Sequence, residues 1–152
     1  MVLFLAIASP AIAKQNKHKK KSKPGNQLIS VAMRRTGCFG KCPAYIIDVN
    51  KSGVATYTGI RFTEDSGAFE KNIGTKKVAE IFDEVIADRI DTCKNEYVNR
   101  MTDLPGLIFT IKYADSTKTI TNANYGPLVL KHLTDAMAAL AGKKLDGTWK
   151  RK

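Results

Sequence analysis

Apolar and polar residues alternate from Leu28 to Arg34. A period of two residues predicts a half-buried strand, with one face toward the core and the other toward solvent. The face that we expect to be buried carries Ile29, Val31 and Met33. The opposite face carries Ser30, Ala32 and Arg34.

Two further strands follow, joined by a tight turn. Alternation continues from Tyr45 to Val49, and the segment from Asn50 to Gly53 is rich in turn-forming residues. The next strand is predicted from Val54 to Ile60, so the two strands form a hairpin. A shorter fourth strand is expected around Phe69 to Ile73.

The spacing of apolar residues then changes from two to the three-to-four of a helix. Charged residues fill the positions between them, which predicts an amphipathic helix with one buried face. The apolar positions of this helix are Val78, Ile81, Phe82, Val85, Ile86 and Ile90.

A second hairpin and a second helix complete the pattern. Leu107 to Tyr113 and Thr117 to Asn122 alternate on either side of a short polar turn. The last helix is expected to begin at Pro127, because proline fits the first helical turn, and to end at Gly142. Its inward residues are predicted to be Leu130, Leu133, Met137 and Leu140.

The predicted elements follow the order ββββ-α-ββ-α. Hairpin-connected strands with two inserted helices predict an α+β fold, in which a single antiparallel sheet packs both helices on one face. A chain of 152 residues with 43% hydrophobic content is long enough to bury one core. We therefore expect one domain, over residues 27–149.

The N-terminal segment has the pattern of a secretory signal peptide. An apolar run from Val2 to Ala8 precedes the small residues Ala11 to Ala13, which are typical of a cleavage site. The run is too short to span a bilayer. We therefore expect residues 1–13 to be removed, a mature chain without a transmembrane segment, and a periplasmic or secreted location.

The net charge of +11 is concentrated at the two ends of the chain. Residues 14–26, a predicted disordered linker, carry six lysines without an acidic residue, and residues 150–152 form a basic tail. These ends suit contact with an anionic surface, or they serve only to keep the chain soluble. No aromatic residue interleaves with the lysines, so we do not expect a nucleic-acid partner.

The densest group of special residues lies in the turn from Arg35 to Tyr45, which contains Cys38 and Cys42. In an oxidising compartment two cysteines this close tend to form a disulfide, and the expected role is a structural staple. Gly37 and Gly40 are expected to adopt the positive φ angles that a tight crosslinked turn needs.

Three other interpretations of the cysteines compete with the structural staple. In the first, Cys38 and Cys42 form a redox couple, and Lys41 or Arg35 lowers the pKa of one of the two thiols. Alternatively Cys93 pairs with one of the two and leaves an odd thiol. Metal binding would need further ligands, and the histidines of the sequence do not reproduce a zinc-site spacing, so we expect no metal and no cofactor. These histidines are His18 and His132.

The order Arg-x-x-Cys-Phe-Gly-x-Cys-Pro-x-Tyr, from Arg35 to Tyr45, resembles the signature of an uncharacterised family of bacterial, mostly exported domains. That family is known by a domain-of-unknown-function label. The resemblance runs from about Leu28 to Trp149 and includes the stretch from Tyr97 to Pro105. It implies a small α+β domain outside the cytoplasm, and it implies no activity or catalytic residue.

Five residues are candidates for ligand binding. Arg35 and Tyr45 flank the turn, so a guanidinium that clamps a carboxylate or phosphate lies beside an aromatic ring. Phe39 and Lys41 lie within the turn, and Asp103 lies in the later Thr-Asp-Leu-Pro stretch. Structural roles are the alternative: Tyr45 packs in the core, Arg35 pairs with an acid such as Asp103, and Asp103 caps the local backbone.

The sequence offers no convincing catalytic set. His132 is placed on a helix flank, and no glycine-rich phosphate loop is present. We therefore expect a non-catalytic module that binds a protein or an envelope component through the stapled turn. The alternative is a redox-active or redox-sensing protein that uses the same cysteine pair.

Overall fold

The computed structural model describes residues 27–98, 105–123 and 125–152, which form one sheet of eight strands and two α-helices. The fold is therefore α+β. The helices are α1 (Gly74–Ala87) and α2 (Leu128–Ala141), and a 3₁₀ turn (Ile90–Thr92) follows α1. The strands are β1 (Leu28–Arg35), β2 (Ala44–Asn50), β3 (Val54–Arg61), β4 (Gly67–Asn72), β5 (Glu96–Tyr97), β6 (Leu107–Tyr113), β7 (Thr117–Asn122) and β8 (Lys150–Arg151).

The sheet is mixed, with strand order β5-β7-β6-β1-β2-β3-β4-β8. The expectation of a purely antiparallel sheet is wrong, because β5 runs parallel to β7. The expected element order is also incomplete, since it lacks β5 and β8. Each of these edge strands has only two residues, which is too short for alternation to show in the sequence.

The start of β1 differs from the simple alternation. Its pairing with β6 shifts register between Leu28 and Ser30. Such an irregularity changes which side chains face the core. As a result Leu28 is buried and Ile29 only partly buried, contrary to the expectation for Ile29. Val31 and Met33 are buried as predicted.

One hydrophobic core lies between the sheet and the helices. Buried side chains of both helices join it with those of the central strands. On the strands these are Leu28, Val31, Met33, Ile47, Val49, Ala55, Tyr57, Leu107, Phe109, Ile111 and Ile120. Trp149, close to the C-terminus, also belongs to this core.

The buried face of α1 is narrower than the sequence indicates. Val78, Ile81 and Val85 are buried, whereas Ile86 is half exposed. Ile90 is buried, but it lies in the 3₁₀ turn beyond the helix. No helix in the described part of the chain is both long and apolar enough to cross a membrane.

Both ends of α2 lie close to where the sequence places them. Pro127 immediately precedes the helix, and Gly142 caps its C-terminus with a φ of 64°. That left-handed backbone conformation favours glycine and turns the chain away from the helix axis. Leu130, Leu133 and Met137 are buried as expected. The turn of the chain at Gly142 brings the next residues toward the start of β2, where a cavity forms.

Candidate functional site

The cysteine turn connects β1 to β2 and is closed by a Cys38–Cys42 disulfide with a Cα–Cα distance of 5.5 Å. Cys93 is a free thiol, partly buried against the core. The base of the turn is held independently of the disulfide, because Thr36 and Gly106 bond to each other. The Thr36 N–H donates to the Gly106 carbonyl over 2.9 Å, and the Gly106 N–H donates to Thr36 Oγ1 over 2.8 Å.

The backbone conformation of the two glycines in the turn differs from the expectation. Neither Gly37 nor Gly40 has a positive φ; the glycines that do lie elsewhere in the chain. Gly37 instead permits a close approach, since a Cβ atom there would lie 2.6 Å from Nη2 of Arg61. A side chain at this position would therefore displace the guanidinium of Arg61 from the turn.

A cavity of about 540 Å³ opens beside this turn. Its walls come from the ends of β1 and β2, from β3, from the loop between β3 and β4, and from the chain that leaves α2. The lining residues are Arg35, Pro43, Tyr45, Tyr57, Phe62, Thr63, Glu64, Gly142 and Lys143.

Arg35 and Tyr45 lie side by side in the wall of this cavity, because they are directly paired across β1 and β2. Burial raises the pKa of Tyr45 above its ordinary value, and the adjacent Arg35 guanidinium opposes that rise through its charge and through a hydrogen bond to the phenol. Nε of Arg35 is buried and has no hydrogen-bond partner among the described residues. A charged donor without an acceptor is costly to bury, so the Arg35 guanidinium is a candidate for binding an anionic acceptor.

Tyr57 forms the aromatic floor of the cavity together with Tyr45. Their ring centroids lie 5.5 Å apart in a stacked arrangement. Burial raises the pKa of Tyr57, and a hydrogen bond with the Thr63 side chain opposes that rise. Because both phenols stay protonated at neutral pH, each can still donate its hydroxyl proton in a hydrogen bond, and neither acts as a base.

The loop between β3 and β4 forms one wall and is fixed to the segment after α2. The backbone N–H of Leu145 donates to Oδ2 of Asp65 over 2.8 Å. Phe62 in this loop has a positive φ of 55°, unusual for an aromatic residue, and the Arg61 guanidinium lies 5.0 Å from its ring centroid. The hydrogen bond between Leu145 and Asp65 therefore joins the two walls of the cavity.

The structure places the five predicted binding residues in different surroundings. Arg35 and Tyr45 line the cavity together. Phe39 is 95% exposed at the tip of the turn, and Lys41 is also exposed; neither lines the cavity. Asp103 lies outside the described residues.

Several lining residues were not predicted from the sequence. Tyr57 had a usable signal, because the turn at 50–53 sets the register that pairs it with Ile47 on the core face. Phe62, Thr63 and Glu64 lie in a loop, and Lys143 follows the end of α2, so no local pattern connects them to the cysteine turn. Only the folded chain brings them together.

The chemistry of this cavity suits an anion with an attached ring. Among the lining residues Arg35 and Lys143 are cationic, and Glu64 is the acidic one. Guanidinium, ammonium and phenol groups all donate hydrogen bonds, and the aromatic rings offer flat apolar surface. No lining residue is a histidine or cysteine, so the cavity offers none of the usual soft ligands for a metal.

The comparisons with known proteins identify a family for this chain but no activity. No curated protein matches the chain. The family model described as "Domain of unknown function (DUF6438)" matches residues 29–141, which include the cysteine turn and both helices. The expectation of a family known by such a label is confirmed, although the match ends before Gly142 and Lys143. The chain therefore belongs to the DUF6438 family of domains of unknown function.

Proposed function

We propose that this protein is a non-catalytic binding domain that captures the anionic group of a ligand in the cavity beside the disulfide turn. One observation carries the proposal: Arg35 Nε is buried in the cavity wall and lacks a hydrogen-bond partner among the described residues. A carboxylate or phosphate oxygen would supply the missing acceptor in a charge-assisted hydrogen bond.

The rest of the cavity defines the ligand further. The stacked pair Tyr45 and Tyr57 offers a platform for a ring next to the anion, and Lys143 adds a second positive charge at the rim. A volume of about 540 Å³ accommodates a small molecule or one residue of a larger partner. The ligand class is therefore a carboxylate or phosphate attached to an aromatic or sugar ring.

The disulfide turn positions this site. Cys42 is followed directly by Pro43 and, two residues later, by Tyr45, both of which line the cavity. The turn also displays the ring of Phe39 to solvent, where it suits contact with a protein partner that carries the anionic group. In this proposal the staple orders the cavity and its rim together.

We also propose that the domain acts outside the cytoplasm, on a protein or an envelope component. The apolar N-terminal run with its small-residue cleavage pattern supports export, and a disulfide persists in such a compartment. The lysines of residues 14–26 would add attraction to an anionic surface.

The test is calorimetric titration of the full chain with phenyl phosphate and with benzoate, using phenol as the neutral control. Arg35→Gln should weaken binding of both anions by about 10- to 100-fold, which corresponds to the loss of one charge-assisted hydrogen bond. Arg35→Lys should recover part of the affinity, because it restores the charge without the planar fork.

Arg34→Gln is the matched control. Arg34 is the preceding residue of the same strand, is exposed, and does not line the cavity. Equal effects of the two glutamine variants, or anion binding no tighter than phenol binding, would contradict the proposal. Circular dichroism melting curves establish that each variant is folded.

Thiol–disulfide exchange is a second candidate function, and one contact favours it. The backbone N–H of Gly40 donates to Sγ of Cys38 over 3.2 Å, and this contact would also stabilise a thiolate. A partner dithiol would reduce the bond, becoming a disulfide itself while its two protons pass to Cys38 and Cys42. Equilibration with glutathione buffers, followed by thiol alkylation, measures the reduction potential. A potential below about −300 mV would identify a structural bond and refute this function.

A further inference from the structure

A cluster of metal-binding side chains lies on the helices, away from the cavity. Glu84 and Asp88 are four residues apart at the C-terminal end of α1, so they project from the same side of the helix. His132 lies in the second turn of α2. Each of the three offers one ligand atom, and these atoms lie within 4.8 Å of one another. Nδ1 of His132 is 3.6 Å from Oδ2 of Asp88.

No lysine or arginine in the described ranges forms an ion pair with these three side chains. The two cations adjacent in sequence pair elsewhere: Arg89 bonds to Asp91, and Lys131 bonds to Asp135. The last turn of α1 contains no basic residue, although the end of a helix carries partial negative charge. Two carboxylates and a helix terminus therefore face an imidazole without a fixed positive charge between them.

We propose that Glu84, Asp88 and His132 bind a divalent transition-metal ion, with zinc as the best match. One imidazole and two carboxylates suit Zn²⁺, whereas Ca²⁺ and Mg²⁺ prefer oxygen ligands alone. Ligand atoms about 2.1 Å from a tetrahedral zinc lie about 3.4 Å apart. The His132–Asp88 distance is already close to this value, and all three ligand atoms lie within 4.8 Å of one another.

The proposed site would join α1 and α2, which pack into the same hydrophobic core. Three protein ligands leave the fourth position of a tetrahedral zinc open to water or to a partner. Because the ligands come from α1 and α2, metal binding links the helices to each other and raises the stability of the folded chain. The sequence gives little sign of this, since 44 positions separate Asp88 from His132.

A simple ion pair is the competing explanation. His132 and Asp88 alone would form a contact that needs no metal, but such a pair assigns no role to Glu84. Substitution of Glu84 therefore distinguishes the two explanations, because it lies outside the pair and inside the metal site.

The test uses the full chain stripped of metal with EDTA and dialysed. ZnCl₂ is titrated calorimetrically, and Co²⁺ serves as a spectroscopic probe through its visible absorption. One equivalent should bind, and the melting temperature should rise with zinc concentration. His132→Ala and Glu84→Gln should each weaken binding by about tenfold or more. Asp135→Asn, an exposed carboxylate on α2, should leave binding unchanged.

Three results would overturn this proposal. The first is no saturable binding of either ion. The second is zinc affinity that is unchanged in Glu84→Gln, which reduces the site to the ion pair. The third is binding that survives both ligand substitutions but disappears in Cys93→Ser or His18→Ala, which places the metal elsewhere in the chain.

Discussion

Removal of the Cys38–Cys42 disulfide should destabilise the fold by a small and calculable amount. The crosslink joins residues with a sequence separation of only four. For so short a loop the chain-entropy relation gives about 2 kcal/mol in the free energy of unfolding. The base of the turn should stay folded, because Arg35 and Tyr45 remain paired across β1 and β2, and Thr36 remains bonded to Gly106, whereas the residues between the cysteines lose their constraint.

Urea unfolding, followed by circular dichroism, measures this loss. The double variant Cys38→Ser/Cys42→Ser should be compared with its parent in a Cys93→Ala background, so that the third thiol cannot form a new bond. The midpoint should fall by an amount equivalent to about 2 kcal/mol. A reductant should lower the midpoint of the parent by a similar amount and leave that of the double variant unchanged.

Two results would contradict this prediction. A loss of about 4 kcal/mol or more would mean that the disulfide holds the core together and not only the turn. No loss, with reductant equally ineffective on the parent, would mean that the staple contributes nothing to stability. Binding of phenyl phosphate by the double variant at full affinity would separately contradict the proposal that the staple orders the cavity.

Three further predictions concern the core and two titrating groups. Leu133→Ala should cost about 2–5 kcal/mol in urea unfolding, because Leu133 is 0% exposed, whereas Leu128→Ala on the same helix, 64% exposed, should cost little. Hydrogen bonds, chiefly from the Thr148 side chain, lower the pKa of Asp146 from 3.8 to about 2. They therefore contribute stability above about pH 4 that is lost as pH falls toward 2, and Asp146→Asn should reduce the drop in melting temperature over that interval. Burial raises the pKa of Tyr45 above 10.0, so the folded state favours the neutral phenol, and absorbance at 295 nm should show that Tyr45→Phe removes an ionisation that occurs above pH 10.

The sequence predicts the parts of the fold that repeat over several residues. Alternation locates β1, β2, β3, β6 and β7, and helical spacing locates α1 and α2. It misses β5 and β8, because two residues carry no period. It also misplaces Ile29, because the register shift near the start of β1 depends on how the neighbouring strand pairs.

The candidate site could be predicted only in part, for a similar reason. Arg35 and Tyr45 flank one turn, so chain proximity alone brings them together. Phe62 and Lys143 come from segments distant in sequence, and they meet only once the sheet and α2 have packed. The role of Gly37 also depends on a distant residue, since its lack of a side chain accommodates Arg61.

The most direct test of the account is whether the buried Nε–H of Arg35 receives an anion. In ¹⁵N-labelled protein the arginine Nε–H resonances can be resolved by NMR, and the one lost in Arg35→Lys belongs to Arg35. We expect this resonance to shift saturably with phenyl phosphate, not to shift with phenol, and to behave identically in Arg34→Gln. Anion binding at Arg35 would be contradicted by an Arg35 resonance that does not move at saturating phenyl phosphate. It would also be contradicted by a shift no larger than that of the Nε–H of exposed Arg34.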